Sequence, residues 1–365
     1  MRPTWSFQLK AAPIFLISIA LAGCTGTTGD DPAAGGTKRI IIVSNSAAPF
    51  WDAIRAGWTA AEKDLNLNAH GLRVAMQLAK ETEDQIRFLR QLETQSDVAG
   101  VAISAVEASN LALAKEMKRL QAKGIPVITL DSDMDRQKYR DARLAFIGTD
   151  NLSAGRQLGI AAKHLLSEGG GFVTFVGVKT SQNAIERVGG FEEGAGSRFT
   201  LLDNMGDGTD TLKMRKNVQN AILNHKEKLK ALVGIWSQNT PAIVDVLRKQ
   251  GNRDRFKVLA FDAEALTIKA MGEGYVDAMI VQNPYQMGYQ SVRLLKALIT
   301  ADEATKKEMF PNLGQPDGDL YDTGLKIVVP DEGSPLDGSM FGEKTEFYKL
   351  GAFRRWLEEL GLTGS

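Results

Sequence analysis

Cysteine is almost absent. A single Cys24 in 365 residues leaves no thiol pair for a disulfide and none for a thiolate metal site in the chain that follows it. The three histidines, His70, His164 and His225, lie far apart and without ligand spacing, so no metal site is expected. No Ser-His-Asp order and no glycine-rich phosphate loop is present, and no cofactor is expected. Neither sign of charge dominates, since 44 Lys and Arg face 44 Asp and Glu without a long run of either. That balance argues against nucleic acid as a partner and leaves no basic face for a membrane surface. The apolar run Ala11–Ala22 is shorter than the roughly 20 residues a membrane-spanning helix needs.

What is present begins with an address label. Arg2 and Lys10 flank the start with no acid between them, an apolar core follows, and Leu21-Ala22-Gly23-Cys24 closes it. This ending resembles the lipobox of bacterial lipoproteins, in which Cys24 is acylated and becomes the first mature residue. The alternative is an ordinary signal peptide with a chance cysteine. Residues 25–37, rich in Thr, Gly, Asp and Ala, read as a flexible tether. Roughly 340 residues then remain, more than one domain usually holds, so two lobes are the default.

The stretch Arg39–Asp52 organises the rest. Ile40–Val43 are apolar without polar alternation, the pattern of a strand buried on both faces of a parallel sheet. A small-residue loop, Ser44–Ala48, leads through Pro49 into a helix opened by Phe50 and Trp51. From there, short apolar runs alternate with amphipathic stretches of helical length. Strands are expected at Arg39–Val43, Arg73–Leu78, Gly100–Ile103, Pro126–Leu130, Leu144–Ile147, Gly171–Val176, Thr200–Asn204, Ala231–Ile235, Lys257–Phe261, Ala278–Val281 and Leu325–Val329. Repeated β-α units imply an α/β fold of doubly wound parallel sheets, and so many strands suggest two sheets.

Several motifs then fall in a familiar order. Ile41 to Val43 with Ser44, Pro49 and Phe50; Gly124 to Asp131; Ile147 to Asn151; Glu186-Arg187 with Gly189 to Phe191; Asn239; Ala260 to Asp262; and Val281 to Pro284 follow one another with the spacing of ribose-type periplasmic sugar-binding proteins. The resemblance covers roughly residues 38–299, with a final strand at 323–329. The same fold serves the sensing cores of lac-repressor-type regulators, but here an export signal stands where their DNA-binding head would be.

The resemblance implies two lobes joined by three hinge crossovers, near Gly148–Asn151, Gln282–Pro284 and Asp322–Leu325. The first lobe is residues 38–148 plus 283–322 and the second is residues 149–282 plus 323–365. A sugar or sugar-like polyol is expected between them. Such a guest offers apolar ring faces and hydroxyl edges, which call for aromatic plates and for carboxylates, amides and guanidinium. Carried over by position, Phe50 and Trp51 match the stacking aromatics, Ser44 a small polar residue at the same mouth, and Asp131 a hydroxyl acceptor. Arg187, Asn239 and Asp262 match the second lobe's donors and acceptors, and Gln282 sits at the second crossover. Read structurally instead, Asp131 or Asp262 is a helix N-cap, Arg187 a surface ion-pair partner, and Gln282 a hinge hydrogen bond.

The departures bear on which ligand fits. Ala48 replaces an asparagine, Ser132 replaces an arginine, and the aromatic expected near Thr209 and Asp210 is missing, with Trp236 a candidate replacement plate. Lys179 and Gln182 are read mainly as exposed loop residues. Residues 300–322 read as a polar surface loop, and Thr345–Leu360 as a closing amphipathic helix. The implied activity is capture by a monomer in the cell envelope, facing the periplasm, held to a membrane by its lipid and delivering sugar to an ABC transporter permease. The alternatives are a lipoprotein that presents sugar to a membrane receptor, or a glycosidase using Asp131 and Asp262. Against the enzyme stands the expectation that a nearby arginine and amide keep both carboxylates ionised, whereas a general acid needs a raised pKa.

Overall fold

The computed structural model describes residues 36–365, so the lipobox reading at Cys24 lies outside the described residues. Thirteen strands occur among those described: β1 (Lys38–Ser44), β2 (Leu72–Leu78), β3 (Val98–Ile103), β4 (Val127–Leu130), β5 (Phe146–Gly148), β6 (Gly170–Val176), β7 (Phe199–Gly206), β8 (Leu229–Gly234), β9 (Lys257–Phe261), β10 (Ala278–Val281), β11 (Leu320–Asp322), β12 (Leu325–Val329) and β13 (Thr345–Lys349). They form a six-stranded sheet of order β11-β5-β4-β3-β1-β2 and a seven-stranded sheet of order β13-β12-β10-β9-β8-β6-β7. Every pairing is parallel except β10 with β12.

Strand β1 shows why the first sheet forms where it does. Ile40 to Val43 are at most 1% exposed. Ile40 and Ile42 enter a cluster with Ile54 and Leu295, while Ile41 and Val43 enter another with Leu89 and Leu113 on the opposite face. Burying an aliphatic side chain stabilises by about 1.5–3 kcal/mol, so these four contribute on the order of 6–12 kcal/mol before the cost of ordering the chain. Breaking the run with one charge would leave that charge without water on either face.

The helix that follows, Phe50–Asp64, is held at close range. A Cβ on Gly57 would fall 1.9 Å from the carbonyl oxygen of Tyr285, and one on Gly288 would fall 2.1 Å from that of Ile54. The two backbones therefore touch, and helix Pro284–Ile299 fixes the one that carries Phe50 and Trp51.

The chain passes between the sheets three times, at Thr149–Asp150, Gln282–Asn283 and Thr323–Gly324. Two of these passages are tied together, because the backbone N–H and the hydroxyl of Thr323 both donate to the Gly148 carbonyl, at 2.7 and 2.9 Å.

Two sequence expectations fail here. Residues 300–322 are not a plain loop, since they hold helix Glu303–Met309 and the edge strand β11, paired with β5. The sequence of β11 is only three residues long, and what fixes it is tertiary: the buried Asp319 just before it accepts from the buried Arg143, which also grips Asp133. The helix expected over Thr345–Leu360 begins only at Leu350, and Thr345–Lys349 is β13. Phe347 packs toward one face of the second sheet and Tyr348 toward the other, a period of two that the spacing of Phe347, Leu350 and Phe353 concealed.

Candidate functional site

In parallel α/β sheets the loops at the carboxyl ends of the strands face the ligand crevice. Here such loops from both sheets meet around one cleft, about 300 Å³ of empty space partly open to solvent. The first sheet's side supplies Asn45, Ser46 and Ala48 after β1, Phe50 and Trp51 on the following helix, and Asp131 after β4. The second supplies Asn183 and Arg187 from helix Gln182–Ala195, Trp236 to Gln238 after β8, and Asp262 after β9.

Both carboxylates sit in left-handed backbone, Asp131 at φ 61° and Asp262 at φ 64°, a conformation Asp tolerates better than most residues. Neither caps a helix, so that structural alternative falls. Asp131 accepts from the Ser104 hydroxyl at 2.9 Å, and Ser104 in turn accepts from Asn45 at 2.9 Å. Asp262 accepts from the Gln282 amide at 2.8 Å.

Arg187 is not a surface residue, being 1% exposed. It donates to Asn151 Oδ1 at 2.9 Å and to the Ile235 carbonyl at 3.0 Å, and its guanidinium lies 4.6 Å from the Phe261 ring centroid. Nη1 is 3.9 Å from Asp262, an ionic contact too long for a hydrogen bond, and Nη2 has no partner among the described residues. Trp236 is fixed by its indole N–H, which donates to Asn183 at 3.2 Å, and Trp51 likewise donates to Ser46 at 3.0 Å. Phe50 meets Trp51 edge to face, with centroids 5.9 Å apart.

Burial pushes the Asp262 carboxyl up to about 6, against the opposing pull of Arg187 and Gln282. It raises Asp131 as well, with Arg187, Ser104 and Asn183 opposing. The arginine and amide expected beside these carboxyls are there and oppose the rise, but they do not cancel it. Desolvation outweighs one guanidinium shared between two acids.

Three of the sequence candidates do not line the cleft. Ser44, the last residue of β1, is buried and donates to the Gln77 carbonyl at 3.4 Å. Asn239 is buried behind Trp236, accepting from the Trp236 N–H at 3.0 Å and donating to Asp207 at 2.8 Å. Gln282 stands behind Asp262 and orients it. Asn45, Ser46, Asn183, Ser237 and Gln238 were not foreseen. Only Asn183 carried a signal, being four residues before Arg187 on one helix and therefore on the same face. Lys179 lies against Gly206 and Gln182 bonds Glu186, both away from the cleft.

The family model for the periplasmic binding protein domain matches residues 39–303. The chain belongs to this periplasmic binding protein family. Among curated relatives, the ribose import binding protein RbsB of Escherichia coli is 26% identical over 79% of this chain and 89% of its own. The D-ribose/D-allose-binding protein of Pseudomonas aeruginosa is 27% identical over 61% of this chain and 70% of its own. A solved ABC transporter solute-binding protein from Burkholderia graminis, in complex with D-arabinose, is 26% identical with a TM-score of 0.70, covering 81% of this chain and 96% of that one. This periplasmic binding protein carries a further segment beyond the matched span, from residue 304 to residue 365. Among its described residues no group of three or more metal-binding side chains occurs, and no helix is long and apolar enough to cross a membrane.

Proposed function

We propose that this periplasmic binding protein captures a sugar or sugar-like polyol in the cleft and hands it to an ABC transporter. One observation carries the reading: buried hydrogen-bonding groups from both lobes face one small cavity with capacity to spare. Arg187 Nη2 and Gln238 Nε2 are buried donors without a protein partner, and Asp131 and Asp262 each have acceptor capacity left. Leaving a buried donor unmade costs about 1–3 kcal/mol, so a polyhydroxyl guest has these bonds to complete. Phe50, Trp51 and Trp236 bring aromatic rings to the same cleft.

Capture works by closure. Residues 38–148 with 283–322 and residues 149–282 with 323–365 act as two rigid lobes, and only the closed form engages both sets of groups. The lobes already touch beside the cleft. Ser181 donates to the Val106 carbonyl at 2.5 Å, the Ala108 N–H donates to the Thr180 carbonyl at 3.2 Å, and Arg136 lies 3.6 Å from Glu186. The relatives this chain resembles are named as binding proteins, which supports binding over the glycosidase alternative. Its similarity to the Escherichia coli ribose import binding protein favours transport over sensing. Acylation at Cys24 would place the protein in the envelope, facing the periplasm.

A thermal-shift screen of the full chain against D-ribose, D-arabinose, D-xylose, D-allose, D-galactose and simple polyols tests the reading, because a ligand selective for the folded form raises the melting temperature by mass action. Small-angle scattering should show compaction with the sugar that shifts it. If none of these compounds raises the melting temperature of the folded protein, the proposal fails.

A further inference from the structure

The segment beyond the family match returns to the site. After helix Leu350–Glu359, Gly361 turns the chain at φ 67° and Leu362 packs onto the second lobe's core. Residues 363–365 then run beside the loop that carries Asp262. Ala263 and Ser365 exchange two backbone hydrogen bonds, of 2.7 and 2.9 Å, and Ser365 is 2% exposed. At Gly364 the approach is so close that a Cβ would sit 2.7 Å from the Ala263 carbonyl oxygen.

The first lobe shows what such a contact does. Asp131 has the same left-handed backbone as Asp262, and the residue after it, Ser132, has its carbonyl held at 3.0 Å by the N–H of Ala105 from the neighbouring strand's loop. Left-handed backbone in a non-glycine residue persists only where the surroundings over-determine it. In the second lobe the residue after the carboxylate is held by 363–365 instead. On its other side the segment faces helix Phe50–Asp64, across a groove lined by Pro49, Phe50, Asp52 and Ala56.

We propose that residues 363–365 form a positioning strap that holds the Asp262 loop in its ligand-ready conformation, so that binding does not have to order it. The strap touches no ligand and acts through Ala263. The inference rests on the reading of Asp262 as a cleft residue. Pre-organisation of this kind raises affinity by sparing the cost of ordering at the moment of binding.

The test compares the full chain with one ending at Leu362, which keeps the core anchor, and with Gly364→Val, which pushes the strap off. The readouts are affinity for the sugar identified by the screen, the melting temperature of the ligand-free protein, and hydrogen exchange at the Asp262 amide, which the Ile280 carbonyl accepts from at 2.7 Å. Both variants should bind about tenfold or more weakly, exchange faster at Asp262, and melt within about 2 °C of the full chain. Equal affinity in the shortened chain overturns the proposal. So does a loss of affinity that tracks a general fall in melting temperature, since that is a merely structural role. If the full chain binds no sugar, the function proposed above falls. The strap is then judged on the Asp262 amide alone, where faster exchange supports it and unchanged exchange overturns it.

Discussion

Asp262→Asn should make the ligand-free protein more stable while spoiling its site. The carboxyl is raised from its ordinary 3.8 to about 6 by burial, so ionising it costs about 3 kcal/mol more in the folded protein than in the unfolded chain. That penalty is complete above pH 6, where both states are ionised. As pH falls from 6 toward 3.8 the folded protein takes up the proton and the unfolded chain does not, and stability recovers by at most about 1.4 kcal/mol per pH unit. Asn keeps the volume, tolerates the left-handed backbone at φ 64°, and still accepts from Gln282. The value of about 6 is already net of the pull of Arg187, 3.9 Å away, so the gain at pH 7.5 should be up to about 3 kcal/mol, a rise of several degrees in melting temperature. Asp207, also pushed up to about 6 by burial, titrates in both proteins and cancels from the difference. Denaturant unfolding of both proteins between pH 4 and 8, without sugar, should show the variant ahead at high pH and the two curves converging near pH 4. A variant less stable at pH 7.5, or a difference that does not change with pH, would refute the reasoning.

Other expectations follow from the same geometry. Trp236→Ala removes a plate held by Asn183 and should weaken sugar binding by about 2 kcal/mol, roughly thirtyfold, in calorimetric titration; because the ring also packs in the second lobe's core, the ligand-free melting temperature should fall as well. Ser181→Ala deletes a bond between the lobes worth about 1 kcal/mol, so scattering of the ligand-free protein should show a larger radius and affinity should fall about fivefold. Gly57→Ala forces a methyl group against the Tyr285 carbonyl, and denaturant unfolding should record a loss of about 1–3 kcal/mol, with weaker sugar binding as the helix bearing Phe50 moves. Arg143→Leu removes the buried cation shared by Asp133 and Asp319, leaving them only the more exposed Arg136 and Arg140, and should cost about 3 kcal/mol, exposing the β11 edge to faster hydrogen exchange.

The β-α rhythm was legible because strands buried on both faces must be continuously apolar, and Ile40–Val43 is such a run. All eleven expected strands are present with small shifts at their ends, while β11 and β13 were missed. Those two are short edge strands. One is fixed by a buried ion pair from Asp319 to the distant Arg143, the other is hidden in a pattern that also fits a helix. Phe50, Trp51, Asp131, Arg187, Trp236 and Asp262 were placed at strand ends or helix faces by position in the chain, and these six share the cleft. Ser44 failed because it is still the last residue of β1, buried and donating to the Gln77 carbonyl, whereas the loop that begins at Asn45 and Ser46 reaches the cleft.

The amino-acid sequence by itself determined the doubly wound architecture and the chemistry on offer, since both follow from local patterns of apolar period and from residue type. Only the tertiary structure decided which groups stand at the surface of the cleft and which stand behind it. It set the proton affinity of Asp262 through burial, and it brought Ser365 back to Ala263 across a hundred residues of chain. Desolvation and long-range backbone pairing depend on neighbours that no window of sequence contains.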